Sequence, residues 1–469
     1  MKHRWIALLL ALLCACSARA EAPAQAPAEP PVSAEKPAKQ ESSKNEKPSA
    51  EAPAPAVTES SQSKPSSPDR EEQKPAGDPD AHVTVNGTTT KMLTNGDTNA
   101  CLELTDDAVI TISWPESRSF DRVLFEGMDL HGTFTINNEN TVLYSQELSE
   151  SSRWCYIGEQ SASELFITMP KGNSISEITV TAPAEDRKSL LCAYLPYSSF
   201  TDDMLTDGSL AALDELTVNV GCYWTAEGSL DVKNGLTSIL SEIRTAYPEL
   251  KLICTINPKA GGAAAIMSVE KRDILIQNML TFCRENKLNG VDIDWEFPAE
   301  DQWDEFNALL SELGHELDDA GMSLSAAFYP NQAELDSNAL LALDTINIMA
   351  YDQFDENGFH STYLTAEEAI DAFLDLGAEP QQLCLGIPAY GRPVTEEAAW
   401  PFYCDYAAAI EENGDLLNGS YFNSPQLAQD KAVLARQEGL RGVFLYHLGC
   451  DLPGNDDRSL SASIKETLK

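Results

Sequence analysis

From about Arg187 onward the chain alternates apolar runs of strand length with amphipathic stretches of helical length. The runs are "LLCAYLP" (190–196), "ELTVNVG" (215–221), "LKLICTIN" (250–257), "GVDIDWEF" (290–297), "MSLSAAFY" (322–329), "TINIMAYD" (345–352), "QLCLGIPAY" (382–390) and "GVFLYHL" (442–448). Residues 268–286 and 301–319 are examples of the helical stretches, and a last one spans 459–468. Strands separated by helices pair in parallel, and eight such units close into a barrel. The pattern predicts an α/β fold, a (β/α)8 TIM barrel over residues 188–469.

The fourth run carries three acids at period 2, Asp292, Asp294 and Glu296, with Val291, Ile293, Trp295 and Phe297 on the opposite parity. On an edge strand this would be an ordinary solvated face. In a barrel strand the apolar parity packs on the helices, so the acids point inward. Carboxyls gathered away from water cannot all ionise cheaply, because desolvation and mutual repulsion raise at least one pKa. Nothing structural requires that cost, so the three acids are expected to form a site. Glu296 lies nearest the carboxyl-end rim, where barrel enzymes do their chemistry.

Residues 82–184 read differently. Short β-type runs ("HVTVNG", "AVITISW", "DRVLFEG", "GTFTIN", "ELFITMP", "ISEITVT") are separated by turn residues with no helical period, which predicts a smaller all-β, jelly-roll-like sandwich. The order of runs resembles the discoidin or galactose-binding type. That makes the region a candidate carbohydrate-binding module, with Trp114, Trp154 and Tyr156 either stacking on sugar or filling the core. Each domain has its own apolar pattern, so the barrel is expected to fold without anything before about Ala184.

Residues 21–80 are dominated by Ala, Pro, Ser, Glu and Lys, and no core can be buried from them; a disordered tether is expected. Residues 1–20 read as a signal peptide, with Lys2 and Arg4 ahead of a short apolar core from Ile6 to Leu13. Leu13-Cys14-Ala15-Cys16 resembles a bacterial lipobox, which would leave the exported chain anchored to the cell surface through a lipid on Cys16. Cleavage after Ala20 would secrete it instead. The net charge of -42, from 74 acidic and 32 basic residues, argues against nucleic acid and anionic lipid as partners. Membrane association is expected only through the anchor, and a monomer is expected. Of 11 cysteines, Cys101 and Cys155 fall in the sandwich and could bridge it, while Cys192, Cys254 and Cys384 lie in apolar runs. Without a CxxC or Cys/His spacing, neither a metal nor a cofactor is expected.

Four motifs in order give the barrel a family resemblance. Asn289 to Glu296 matches the fourth-strand D-G-x-D-x-D-x-E of the family 18 glycoside hydrolases, the chitinases and their relatives, at all but the first position. Met349 to Asp352 matches M-x-Y-D, Leu385 to Arg392 looks like L-G-x-P-x-Y-G-R, and "RGVFLYHLGCD" (441–451) resembles the eighth-strand motif. The resemblance implies retaining, substrate-assisted hydrolysis of β-1,4-linked N-acetylglucosamine glycans. By the same resemblance Glu296 is the general acid and base, Asp294 orients the 2-acetamido group, Tyr351 hydrogen-bonds it, and Asp292 shares a proton or hydrogen bond with Asp294. Tyr194, Asp352, Tyr390 and Tyr446 are the expected substrate-binding residues. Alternatives are an endo-β-N-acetylglucosaminidase acting on peptidoglycan or N-glycans, and a non-catalytic sugar-binding protein.

Three departures carry expectations of their own. Asn289 in place of Asp removes a charge behind the site, and Tyr446 stands where a Trp usually floors the sugar subsite. Thr255-Ile256-Asn257-Pro258 replaces the third-strand S-x-G-G. The stretch from Arg392 to Arg441 is too short for the extra domain that deepens the cleft in many chitinases, so an open groove is expected.

Overall fold

The computed structural model describes residues 77–139, 141–182, 189–394 and 400–468. The expected signal peptide, Cys16 and nearly all of the expected tether lie outside the described residues. Six strands build the sandwich: β1 (His82–Val85), β2 (Thr88–Thr90), β3 (Leu102–Glu103), β4 (Ala108–Asn138), β5 (Thr141–Met169) and β6 (Ser174–Thr181). The runs "AVITISW", "DRVLFEG" and "GTFTIN" are parts of the single strand β4. Its ladder with β5 is interrupted between Ser113 and Arg118, between Phe120 and Arg122, and between Glu126 and Leu130. Bulges bend a strand and sharpen its twist, so the residues that read as turns mark corners of one ribbon. The ribbon folds back until Thr135 pairs with both Ser145 and Thr168. Its inner face, including Ile110, Phe120, Phe125, Phe134 and Ile167, closes a separate core.

Eight strands close the barrel in parallel: β7 (Leu190–Pro196), β8 (Glu215–Trp224), β10 (Lys251–Pro258), β11 (Gly290–Ile293), β12 (Ser323–Phe328), β13 (Thr345–Ile348), β14 (Leu383–Pro388) and β18 (Gly442–Tyr446), which pairs back with β7. β9 (Leu230–Val232) extends β8 antiparallel, and β15 (Arg392–Pro393), β16 (Leu416–Leu417) and β17 (Ser420–Tyr421) form a small sheet at the rim. The helices are α1 (Leu236–Ala246), α2 (Val269–Asn286), α3 (Trp303–Asp319), α4 (Ser337–Ala342), α5 (Tyr363–Leu376), α6 (Tyr403–Asn413), α7 (Pro425–Gln437) and α8 (Leu460–Thr467). Starts are written locally: Thr362 caps α5, and Ser424 caps α7 with Pro425 at its first turn. Alternate strand residues such as Leu216, Val218, Leu252, Cys254, Val291 and Ile293 pack on the helices, which leaves the other parity for the lumen.

Two strands end four residues before their apolar runs do. β11 stops at Ile293 and β13 at Ile348, so Asp294, Glu296 and Met349–Asp352 lie on the segments that leave the barrel mouth. Period 2 predicts that Phe297 faces the helices, and it does not. It is 37% exposed and sits edge-on against Tyr329 at 5.6 Å. Trp295 keeps the expected side, packed against Trp224 and Phe306. Gly386 has a packing reason: a Cβ there would stand 2.5 Å from Ile348 O and 2.8 Å from the Tyr351 ring.

The described residues form one compact unit, and the seam between sandwich and barrel is polar and buried. Asp430 on α7 has no exposed surface. It accepts hydrogen bonds from Tyr144 Oη (2.9 Å), Arg153 Nη2 (2.9 Å), the Tyr156 backbone N–H (2.8 Å) and Gln426 (3.0 Å). Three of these four donors come from β5. Arg153 also pairs with Glu150 at 2.8 Å and lies 4.8 Å from the centroid of the Tyr363 ring. The aromatics proposed for sugar stacking are engaged elsewhere: Tyr156 is buried at this seam, Trp154 packs on the barrel, and Trp114 donates to Asp78 at 2.8 Å. Cys101 and Cys155 are not bridged.

A barrel starting at residue 189 would lose three of Asp430's four donors and open to water the apolar barrel surface on which Trp154 packs. The truncated chain is expected to be insoluble or to lose its cooperative transition, read by gel filtration and circular dichroism. A soluble monomer melting within a few degrees of the full chain would show that the seam is dispensable.

Candidate active site

Asp292 is the lumen residue of β11 and is fully buried. Its Oδ1 accepts from Ser325 Oγ (2.6 Å), Tyr194 Oη (3.0 Å) and Asn347 Nδ2 (3.3 Å), and its Oδ2 from Thr255 Oγ1 (2.8 Å). Burial pushes its carboxyl up to about 6, while the Ser325, Thr255 and Tyr194 hydrogen bonds pull the other way. Tyr194, expected to bind substrate, is 2% exposed and lies beneath the site as a support for Asp292.

Asp294 follows the strand end, its backbone N–H donating to Asn257 Oδ1 at 2.8 Å. Its Oδ1 is buried without a protein donor, and burial together with the charges of Glu296 and Asp292 holds its pKa well above the carboxylate range. Glu296 is partly buried, and desolvation followed by the negative charge of Asp352 raises its carboxyl to about 7. Asp352 itself stays ionised. Burial would raise it, but His360 and Arg392 outweigh burial and bring it below its ordinary value. Arg392 Nη1 donates to Asp352 Oδ1 at 2.5 Å, and His360 Nδ1 faces the same oxygen at 3.6 Å. The arrangement separates two roles: one carboxyl that can hold a proton near neutral pH, and beside it one acceptor without a donor.

Aromatic rings wall this mouth. Tyr351 is 4% exposed and stacks on Tyr446 with ring centroids 5.5 Å apart. Tyr390 meets Tyr351 edge-on at 6.3 Å and lies parallel to Trp400 at 5.6 Å. The structure thus brings Asp292, Asp294, Glu296, Tyr351, Asp352, Tyr390 and Tyr446 together, with Tyr194 below them.

Sequence reasoning did not find the supports Thr255, Asn257, Ser325 and Asn347, nor Arg392 and His360 as partners of Asp352. The signal for the first four was present, since each is polar on the lumen parity of an otherwise apolar strand. Thr255 supplies a hydroxyl where the third-strand motif is not kept. Asn289 is corrected: it is exposed at the strand start, where Oδ1 accepts from Arg244 Nη2 (2.6 Å) and the Leu252 N–H (2.9 Å), so its missing charge does not lie behind the site. Among the described residues, no group of three or more His, Cys, Asp or Glu could hold a metal ion.

A partly buried acid poised near neutral pH at the carboxyl-end mouth of a (β/α)8 barrel is the arrangement of an enzyme site, and sequence similarity gives the family. The model for glycosyl hydrolases family 18 matches residues 152–451, and the chain belongs to that family. It is 26% identical over 230 residues to probable chitinase 2 of Drosophila melanogaster, covering 43% of this chain and 45% of that protein. Chitotriosidase-1 of Mus musculus is 25% identical over 236 residues, covering 42% and 49%. The chain thus spans about half the length of these curated relatives. A family 18 chitinase from Flavobacterium johnsoniae superposes with a TM-score of 0.53 at 25% identity, over 60% of this chain and 94% of that one. A class V chitinase mutant from Nicotiana tobaccum in complex with NAG4 shares the fold, with a TM-score of 0.52 at 18% identity over 60% and 99% of the two chains.

The raised pKa of Glu296 makes a stability prediction. In the unfolded chain the group titrates near 4.5 and in the folded chain near 7. Its protonated form is favoured on folding, so that stability is complete below pH 4.5 and is lost as pH rises through 7. Glu296→Gln should match the wild type at pH 4 and exceed it at pH 8 by about 2 kcal/mol, allowing for partial exposure. Thermal unfolding at the two pH values checks this; the same difference at both would show that folding does not favour the proton on Glu296.

Proposed function

We propose that the chain is a retaining glycoside hydrolase that cleaves β-1,4-linked N-acetylglucosamine glycans of chitin type with help from the substrate's own acetamido group. The observation that carries this reading is the buried Asp294 oxygen without a protein donor, set beside an acid poised near pH 7. An amide N–H from a 2-acetamido sugar supplies the kind of donor that oxygen lacks. Relatives named as chitinases and neighbours solved with N-acetylglucosamine oligomers support the same substrate class.

In this mechanism Glu296 gives its proton to the glycosidic oxygen as the bond to C1 breaks. The acetamido carbonyl oxygen attacks C1, and Asp294 stabilises the positive charge on the resulting ring through the N–H. Tyr351 hydrogen-bonds the acetamido group. Glu296, now a carboxylate, takes a proton from the water that opens the ring, so the product keeps the β configuration. Among its described residues the segment from Arg392 to Arg441 holds a small sheet and the helices α6 and α7, which favours an open groove and short chains over processive work on crystalline polymer.

Glu296→Gln should still bind chitooligosaccharide while kcat falls by roughly 10²–10⁴. NMR of the first product anomer, run on matched acetylated and deacetylated oligomers, tests the borrowed nucleophile. The expected result is a β product and no cleavage at a deacetylated sugar. An α product, or equal rates on both oligomers, would sink the mechanism.

A further inference from the structure

Two adjacent buried charges on α7 face in different directions. Asp430 meets the sandwich, while Lys431 Nζ donates to Ser361 O (2.5 Å), Ser361 Oγ (2.9 Å) and Asn423 Oδ1 (2.7 Å). Ser361 stands at φ 50° and Asp352 at φ 60°, left-handed conformations that side chains adopt only when their surroundings enforce them. The enforcement is visible. Ser361 Oγ donates to Ala350 O at 2.7 Å, and Asn423 Nδ2 donates to Ser361 O at 3.0 Å. His360 Nε2 lies 3.0 Å from Tyr421 O, which can only accept, so Nε2 carries a proton, while Nδ1 faces Asp352 at 3.6 Å. Two residues beyond Ser361, Tyr363 is held from the other side: its Oη accepts the Trp154 backbone N–H at 3.0 Å, and the Arg153 guanidinium covers its ring.

We propose that the sandwich is a positioning module for the reaction: Trp154 and Arg153 through Tyr363, with Lys431 beside the seam, hold the segment from His360 to Tyr363 in the strained form that fixes Ala350 and Asp352 on either side of Tyr351. The proposal rests on the reading of Glu296 and Tyr351 as reacting-site groups. It assigns the β domain work at the active site without any contact to glycan. Tyr363 and Ser361 are positioning residues here, acting through Ala350 and Asp352.

The test uses the full chain with Tyr363→Phe, which removes one phenol oxygen, and Ser361→Gly, which keeps a residue at ease with φ 50° but deletes the hydroxyl clamp. The titration of Glu296 is followed by NMR of its 13C-labelled carboxyl, with Glu296→Gln identifying the signal. The groups around Glu296 are Asp294, Asp352, Tyr329 and Tyr351, and Asp352 is in turn faced by Arg392, His360 and Tyr390. When Asp352 drifts, its negative charge no longer favours the proton, so the Glu296 midpoint should fall by about half a pH unit or more. At the same time kcat should drop about 10-fold with KM little changed. Folded variants with the wild-type midpoint would overturn the proposal. So would failure of Tyr363→Phe to fold, which would assign that oxygen to stability. The NMR midpoint needs no turnover, so an inactive wild type would count against the proposed function while leaving the positioning claim to be read directly.

Discussion

A carboxylate with no exposed surface, held by four neutral donors, organises the mouth of this barrel. Asp292 gathers its hydrogen bonds from four other strands: Tyr194 on β7, Thr255 on β10, Ser325 on β12 and Asn347 on β13. A closed ring of strands is what lets side chains from so many directions meet at one point. Because the donors are uncharged, they settle Asp292 without neutralising the field it casts on Asp294. Asp294 is thereby left with a costly negative charge and an empty acceptor, which is a useful condition for a group that must receive an amide.

Much of this was legible beforehand, for reasons that differ by element. The barrel declared itself through period-2 runs buried on both faces, and the acids through their parity against Val291 and Ile293. Where the strands stop was not legible, because Trp295 and Phe297 continue the alternation after the ladder has ended; the exposed Phe297 is the result. In the sandwich the same ambiguity ran the other way, since bulges within β4 carry residues that elsewhere end a strand. The supports of Asp292 were hidden in plain view as single polar residues inside apolar runs. The partners of Asp352 were harder, because His360 and Arg392 reach it across a loop whose shape depends on contacts remote in sequence.

The seam shows why two apolar patterns need not mean two independent bodies. The sandwich and barrel cores are separate clusters, yet Arg153, Tyr144 and Asp430 form a network that neither side can satisfy alone. Composition gave no hint of this, since charged residues at such a seam look like any solvated surface. Ser152 adds a hydrogen bond to Glu367 on α5, whose carboxyl burial drives up to about 8, so the junction carries a proton as well as ion pairs. The family match, which begins at residue 152, already crosses the boundary drawn from periodicity.

Cysteine placement has a consequence for how the chain reaches this state. Among the described residues no disulfide links the strands, and Cys192, Cys222, Cys254, Cys283 and Cys384 are shut inside the barrel. For Cys222 and Cys283 burial pushes the thiol up to about 12, and it raises Cys254 well above its ordinary value, so the nucleophilic thiolate is withheld. A folded molecule is therefore inert to thiol exchange at these positions in reducing and oxidising surroundings alike. The unfolded chain has no such protection. In an oxidising compartment the interval between emergence and barrel closure is the period in which mispairing can occur, and the speed of closure, with no oxidoreductase needed to form a bond, guards the yield.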